Sequence, residues 1–215
     1  MKVVVLVSGG LDSTVLLADQ IAKGRGCVAV SFDYGQKHIR ELTSARLVAG
    51  FYNAEQVVVP LTGIFGPSAL TSEDRGIPVG HYEDDSMKAT VVSNRNMVFL
   101  SIAIALAITR GASEVAYGAH GGDRAVYPDC RTEFVDAMRE AAALCDEPGI
   151  VLSAPFVEMS KADIVRRGVE LGAPFGLTWT CYDGGVVPCG KCGACVERAE
   201  AFALNGLRDD CPGRE

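Results

Sequence analysis

Ser8-Gly9-Gly10-Leu11-Asp12-Ser13 decides how this chain is read, because of what flanks it. Before it, Val3-Val4-Val5-Leu6-Val7 is apolar and β-branched, the pattern of a strand buried on both faces of a parallel sheet. After it, Thr14 to Ala22 reads as a helix with one apolar face. Two glycines allow a sharp turn and a close approach of backbone to a ligand. The helix start offers free N–H groups and the positive end of its dipole, which suits phosphate. Ser8 and Ser13 add hydroxyls, and Asp12 is placed to hold Mg2+ beside the phosphates. A plain strand–helix turn would also use glycine for geometry and serine for a cap. Strand, two serines, aspartate and helix together favour nucleotide binding over Ser8–Thr14.

Neither the G-x-x-x-x-G-K-[ST] pattern of hydrolytic P-loops nor the G-x-G-x-x-G of dinucleotide folds is present here. The motif S-G-G-x-D-S resembles the loop of the ATP pyrophosphatase superfamily. That resemblance implies adenylation, the transfer of AMP to a substrate oxygen, and disfavours kinase or hydride chemistry.

At 215 residues and 48% hydrophobic, the chain can bury one sizeable core with a small appended module. A net charge of −7 argues against a broad nucleic-acid surface. No basic segment followed by an apolar run opens the chain, so no secretory leader is expected. The apolar run from Met97 to Ile108 is broken by Ser101 and is shorter than the ~20 residues that span a bilayer. It reads as a buried helix, and no membrane association is expected. Among eight cysteines, Cys189, Cys192 and Cys195 stand too close together for a disulfide framework. They point to metal in a reducing cytosol, hence a cytoplasmic protein.

Strand-like runs at Val3–Val7, Cys27–Phe32, Gln56–Leu61, Glu114–Tyr117 and Ile150–Leu152 alternate with helical patterns near 14–23, 37–50, 96–110, 131–145 and 160–171. The alternation predicts an α/β domain, a parallel sheet flanked by helices, with ligands beyond the C-terminal strand ends. Residues 62–94 form a long loop rich in glycine, proline and charge, a candidate lid. The division expected is 1–178 for the α/β domain and 179–215 for a C-terminal module.

That module carries Cys181, Cys189, Cys192 and Cys195, four thiolates with glycines between them. Zn2+ suits four soft ligands in a closed tetrahedron, and such sites are structural. An Fe–S cluster uses four cysteines too, with zinc preferred here. Cys27 and Cys145 read as core residues, and Cys211 as part of a frayed tail.

Polar clusters fall where strands end. Asp33 and Tyr34 follow the second strand, where adenine or ribose would lie. Arg95-Asn96 opens the central helix, and an arginine there opposes the dipole unless an anion faces it. Ser160-Lys161-Ala162-Asp163 has the form of a capping box, with Lys161 again against the dipole. Each could equally be a solvated charge at a helix end. His120, Asp123, Tyr127, Asp129, Cys130 and Arg131 cluster after the fourth strand. Cys130 has no evident base in that loop to make it a nucleophile.

Together with Phe32–Gln36, Phe99-Leu100-Ser101, Gly118–His120, Tyr127–Cys130 and the segment Trp179–Cys195, these motifs resemble the 7-cyano-7-deazaguanine synthase family of the queuosine pathway. The likeness spans nearly the whole chain, with one departure: the family usually has Pro-Gly where this chain has Ser93-Asn94. The resemblance implies an adenine nucleotide alpha hydrolase-like fold and a homodimer. It implies 7-carboxy-7-deazaguanine, ammonia and ATP as substrates, and a nitrile product made by adenylating first the acid and then the amide. On that basis Ser8, Gly9, Gly10, Leu11, Asp12, Ser13, Thr14, Asp33 and Tyr34 bind ATP. Asp12, Lys161 and Arg95 carry the catalysis. Phe32, Asn96, His120, Asp123, Tyr127, Asp129, Arg131 and Trp179 hold the deazaguanine, and the four cysteines hold zinc. A related ligase that stops at the amide, or joins the carboxylate to another amine, is the alternative. A tRNA thiolase would need a further reactive cysteine and a basic surface. A zinc-ribbon binding module leaves Ser8–Ser13 unexplained.

Overall fold

The computed structural model describes residues 1–81 and 84–211. Tyr82 and Glu83 of the predicted loop, and residues 212–215 of the predicted module, lie outside the described residues.

Five strands, β1 (Lys2–Leu6), β2 (Gly26–Asp33), β3 (Glu55–Pro60), β4 (Glu114–Ala116) and β5 (Val151–Ser153), pair in the order β3-β2-β1-β4-β5. Every pairing is parallel. The order reverses beside β1, so the loops after β1 and β4 diverge there and open a crevice at the C-terminal strand ends. Six helices pack on the sheet: α1 (Leu11–Ala22), α2 (Arg40–Phe51), α3 (Arg95–Thr109), α4 (Thr132–Leu144), α5 (Lys161–Glu170) and α6 (Gly193–Leu204).

Alternation along β1 sorts the core into two layers. Val4 joins Val28 and Val30 under α3 and α4, which contribute Leu100, Ala103, Val135 and Met138. Val3, Val5 and Val7 face the other way, against Leu16 of α1, Val48 of α2, Ile164 of α5 and Phe202 of α6. Both faces of the sheet are covered, which is why β1 is apolar from Val3 to Leu6.

The strand positions agree with the sequence pattern to within one or two residues. α2 starts later than the pattern suggests, at Arg40, because Gln36 folds back onto the backbone. Its side chain accepts from Tyr34 N–H and donates to the Phe32 carbonyl. α6 is the element the sequence pattern missed. Two cysteines inside or bounding it look like loop, yet Ala201 and Phe202 reach the second core layer. Cys211 is buried, not frayed, and its thiol lies 3.8 Å from the Thr178 carbonyl. Cys145 is exposed at the end of α4 and is no core residue, whereas Cys27 is half-buried and packs against the second core layer.

Within 62–94, Leu70, Met87 and Val92 are buried in the first core layer, Ala69 is buried beside them in the chain, and Asp85–Thr90 forms a 3-10 turn. Val79 makes an isolated antiparallel bridge to Cys192. No helix among the described residues is long and apolar enough to cross a membrane.

Candidate active site and metal centre

The Ser8–Ser13 turn is shaped by its own hydroxyls. Ser8 Oγ accepts from Gly10 N–H and shares a 3.1 Å contact with Ser13 Oγ. Ser13 Oγ also accepts from Ser8 N–H. Thr14 Oγ1 donates to the Gly10 carbonyl at 2.8 Å, closing the first turn of α1. Gly9 has φ +93°, and a Cβ there would meet the Glu41 carbonyl oxygen of α2 at 2.1 Å. Only glycine fits that approach.

Asp12 projects from the first turn of α1 into a charged cluster. Lys161 Nζ, at the start of α5, donates to Asp12 Oδ2 at 2.7 Å and stands 3.2 Å from Glu197 Oε2 on α6. His120 Nε2 lies 3.9 Å from Asp12 and 3.4 Å from Asp123. Burial pushes the Asp12 carboxyl up, but Lys161 and His120 outweigh it and hold it below the ordinary carboxylate value. Burial pulls Lys161 down, yet Asp12 and Glu197 keep it firmly protonated. Asp12 Oδ1 is buried with no hydrogen-bond partner among the described residues. An orphaned carboxylate oxygen beside a phosphate-suited helix start fits a Mg2+ ligand.

An aromatic slot continues from this cluster in the same cavity. Phe32 stacks on Phe99 with centroids 4.1 Å apart and planes 5° from parallel. Tyr34 meets Phe99 at 5.5 Å, and Arg95 lies 5.6 Å over the Tyr34 ring while donating to its hydroxyl. Burial lowers the Arg95 pKa, but Tyr34, Tyr127, Tyr182 and Asp129 together hold it above the ordinary value, so it stays charged. Tyr127 OH is 2.7 Å from Thr90 Oγ1 and 3.5 Å from Tyr182 OH.

The dipole conflict at α3 is settled by Asp129, whose carboxylate accepts from Asn96 N–H at 3.0 Å. Asn96 Nδ2 also reaches the Asp129 carbonyl and, at 3.4 Å, Cys130 Sγ. Burial, Asp123 and Asp129 push the Cys130 thiol well above its usual value, which makes it a poor nucleophile. The Ser93-Asn94 departure has a simple geometry. Asn94 takes φ 61° and ψ 17°, the left-handed region that glycine favours and asparagine tolerates. The loop therefore keeps the path a glycine would give it.

One cavity brings together Ser8, Gly10, Leu11, Asp12, Ser13, Phe32, Tyr34, Arg95, Asn96, Asp123, Tyr127, Lys161 and Trp179 from the sequence reading. Gly9, Thr14, Asp33, His120 and Asp129 are not among the residues that line it. Asp33 accepts from Gly35 N–H, and His120 Nδ1 accepts from Gly122 N–H. Arg131 does not reach the cavity; its Nε donates to the Arg124 carbonyl at the start of α4. The sequence reading missed Glu197, His38, Glu41 and Tyr117, which also line it. Glu197 was hidden with α6, and His38 sits in the turn mistaken for helix.

The ligand atoms of Cys181, Cys189, Cys192 and Cys195 all lie within 4.8 Å of one another. Tetrahedral Zn–S bonds of about 2.3 Å would set sulfurs roughly 3.8 Å apart, so the set fits such an ion. Hydrogen bonds with the neighbouring Cys181 and Cys192 thiols hold the Cys195 thiol below its ordinary value. The centre abuts the cavity through Trp179, whose indole N–H donates to the Cys181 carbonyl and whose backbone N–H donates to the Gly9 carbonyl at 2.9 Å. Arg198 of α6, 1% exposed, braces the same segment through Thr178, Thr180 and a bidentate pairing with Asp209.

A family model described as Queuosine biosynthesis protein QueC matches residues 2–206. The chain belongs to that family. Among curated QueC-type relatives, 7-cyano-7-deazaguanine synthase of Caldicellulosiruptor bescii is 50% identical over 211 residues, covering 97% of this chain and 96% of the relative. The synthase of Methanoregula boonei is 48% identical, covering 97% of each. A 4-thiouridine synthetase solved with RNA and bound ATP shares the fold at TM-score 0.55 and 19% identity, over 94% of this chain and 53% of that one. The QueC chain thus combines a five-stranded parallel sheet, an architecture shared with that synthetase, with a four-cysteine centre.

Proposed function

We propose that this chain converts 7-carboxy-7-deazaguanine, ammonia and ATP to 7-cyano-7-deazaguanine, through an adenylated acid and then an adenylated amide. The observation that carries the reading is one cavity holding both the Ser8–Ser13 turn and the aromatic slot of Phe32, Tyr34, Phe99 and Tyr127, in a chain of this family. A carboxylate is a poor electrophile, so its oxygen must first take AMP; ammonia then displaces AMP to give the amide. Repeating the adenylation on the amide oxygen removes the second oxygen and leaves the nitrile.

The N–H groups at the start of α1 bind the phosphates. Lys161 and Arg95 offset the charge that grows as pyrophosphate departs. Asp12 holds Mg2+, which screens the phosphates when bound. The flat deazaguanine rests against Phe32 and Trp179, with Asn96, Asp123 and Tyr127 as polar partners. Asp33 and Tyr34 flank the adenosine end. His120 and Asp129 act as positioning residues next to the lining, and Arg131 holds the Arg124 carbonyl outside the cavity. Zinc in the cysteine centre is structural and holds Trp179 in place. The eight free thiols suit a reducing cytosol. The homodimer implied by the resemblance is checked by sedimentation.

Mass spectrometry of products from the acid, ATP and ammonium tests the assignment. Nitrile with two AMP per turnover is expected. Amide as the sole product supports the shorter ligase reaction and overturns the nitrile reading.

A further inference from the structure

His38 is a buried titratable group to which the chemistry above gives no task. It lies in the turn between β2 and α2, is 4% exposed, and lines the cavity. Its Nε2 stands 3.4 Å from Glu41 Oε2, and Glu41 is itself held by Gln36, whose Nε2 donates to Oε1 at 2.9 Å. A carboxylate beside Nε2 favours the tautomer with its proton there, which leaves Nδ1 as the basic lone pair. Nδ1 is buried and has no hydrogen-bond partner among the described residues. Buried nitrogens seldom stay unmet, so this one is matched to a donor that arrives with the substrate.

The other basic groups are engaged. The chain has three histidines. His120 accepts from Gly122 N–H at Nδ1 and faces Asp123 and Asp12 at Nε2. His81 is half-exposed and stands 3.2 Å from Glu200. Lys161 is paired and protonated. Tyr182 shelters the His38 ring at 5.6 Å between centroids.

We propose that His38 is the general base of nitrile formation, taking through Nδ1 the N–H proton of the adenylated amide while Glu41 holds the ring. The proposal rests on the nitrile-forming reading above. In this step the C–O bond to AMP breaks and AMP leaves with the oxygen and its electron pair. The N–H electrons become the third carbon–nitrogen bond. The proton passes to Nδ1 and later to water, so no oxidant or reductant is needed. A carboxylate, an imidazole and a substrate proton in line follow the logic of a triad base.

The test supplies pre-formed 7-deazaguanine amide with ATP, and separately the acid with ATP and ammonium, to the parent, His38→Asn and His38→Gln. Asparagine keeps an acceptor close to the Nδ1 position but cannot carry the proton. In a variant that keeps the parent's Tm, nitrile formation from amide falls by about 100-fold or more, the usual span of general-base loss. The acid-to-amide step stays within about threefold, so amide accumulates. Imidazole added to His38→Ala restores part of the nitrile step. A folded variant that converts amide at a rate near the parent's, or loses both steps equally, overturns the assignment of His38. A parent that makes no nitrile overturns the functional reading itself, and this assignment with it.

Discussion

Lys161 Nζ donates to Asp12 Oδ2 at 2.7 Å across 149 residues of chain, joining the start of α5 to the start of α1. Two helix N-termini thereby converge on one point of the crevice. A lysine in a first turn opposes the dipole, and here the conflict is relieved by Asp12 and Glu197.

Asp12→Asn is expected to abolish turnover. It also removes a charge-assisted hydrogen bond from a buried lysine, at a cost of about 1.5–3 kcal/mol. Because the folded Asp12 pKa lies below the ordinary 3.8, this stabilisation is present above 3.8 and is lost as pH falls through the folded value. The Tm gap between parent and variant should therefore be full at pH 7 and shrink in strong acid. ATP with Mg2+ should raise the parent's Tm far more than the variant's. Equal ATP stabilisation, with normal turnover, would remove Asp12 from the mechanism.

Gly9→Ala should disable the nucleotide loop. The new Cβ would stand 2.1 Å from the Glu41 carbonyl oxygen and 2.5 Å from Ala45 N, both backbone atoms of α2, at a φ of +93°. Strain and overpacking together cost about 2–5 kcal/mol. Gly26→Ala is the control, since nothing lies within 4 Å of its Cβ, and it should stay within about 0.5 kcal/mol of the parent. Chemical denaturation of the three proteins measures this. Similar midpoints for both variants would mean α2 does not press on Gly9.

Glu197→Gln should stabilise the protein at neutral pH. Burial raises the Glu197 carboxyl, and Asp123 and Asp12 add to the rise against Lys161 and His120. A carboxyl raised on folding favours the fold in its protonated form. Its ionisation weakens the fold, and the loss grows as pH rises from the ordinary 4.5 through the folded value. The variant's Tm should match the parent's near pH 4 and exceed it at pH 7. A difference independent of pH would show that Glu197 carries no net electrostatic strain.

What the sequence made legible follows from local periodicity. Val3–Val7 and the Ser8–Ser13 turn carry their own pattern, so β1, α1 and the loop between them stand out from sequence alone. The cysteine centre stands out too, because four thiols in fifteen residues have few other uses. α6 was hidden because Cys192 and Cys195 mark it as loop, while its apolar side, Ala201 and Phe202, is short. The pairing of Asp129 with the N-terminus of α3 has no local pattern, because the two lie 33 residues apart. His38 shows no local signal at all; its meaning comes from an orphaned nitrogen that exists only after folding.

Cys192→Ser tests how the metal centre reaches the nucleotide loop. It strips one thiolate from a set whose binding free energy contributes to folding. The path outward is short: Trp179 N–H donates to the Gly9 carbonyl, its indole N–H donates to the Cys181 carbonyl, and Arg40 lies 5.1 Å over its ring. Loss of zinc should therefore loosen Trp179, weaken the seat of Gly9 and abolish turnover, while the five-stranded sheet persists. Trp179 is the only tryptophan, so its fluorescence should shift to the red as the indole meets water. Far-ultraviolet circular dichroism should change little, and ATP affinity should fall by about tenfold, the equivalent of some 1.4 kcal/mol. A chelator that removes the metal from the parent without moving either the fluorescence or the turnover would sever the centre from the active site and leave Trp179 held by Arg40 and Gly9 alone.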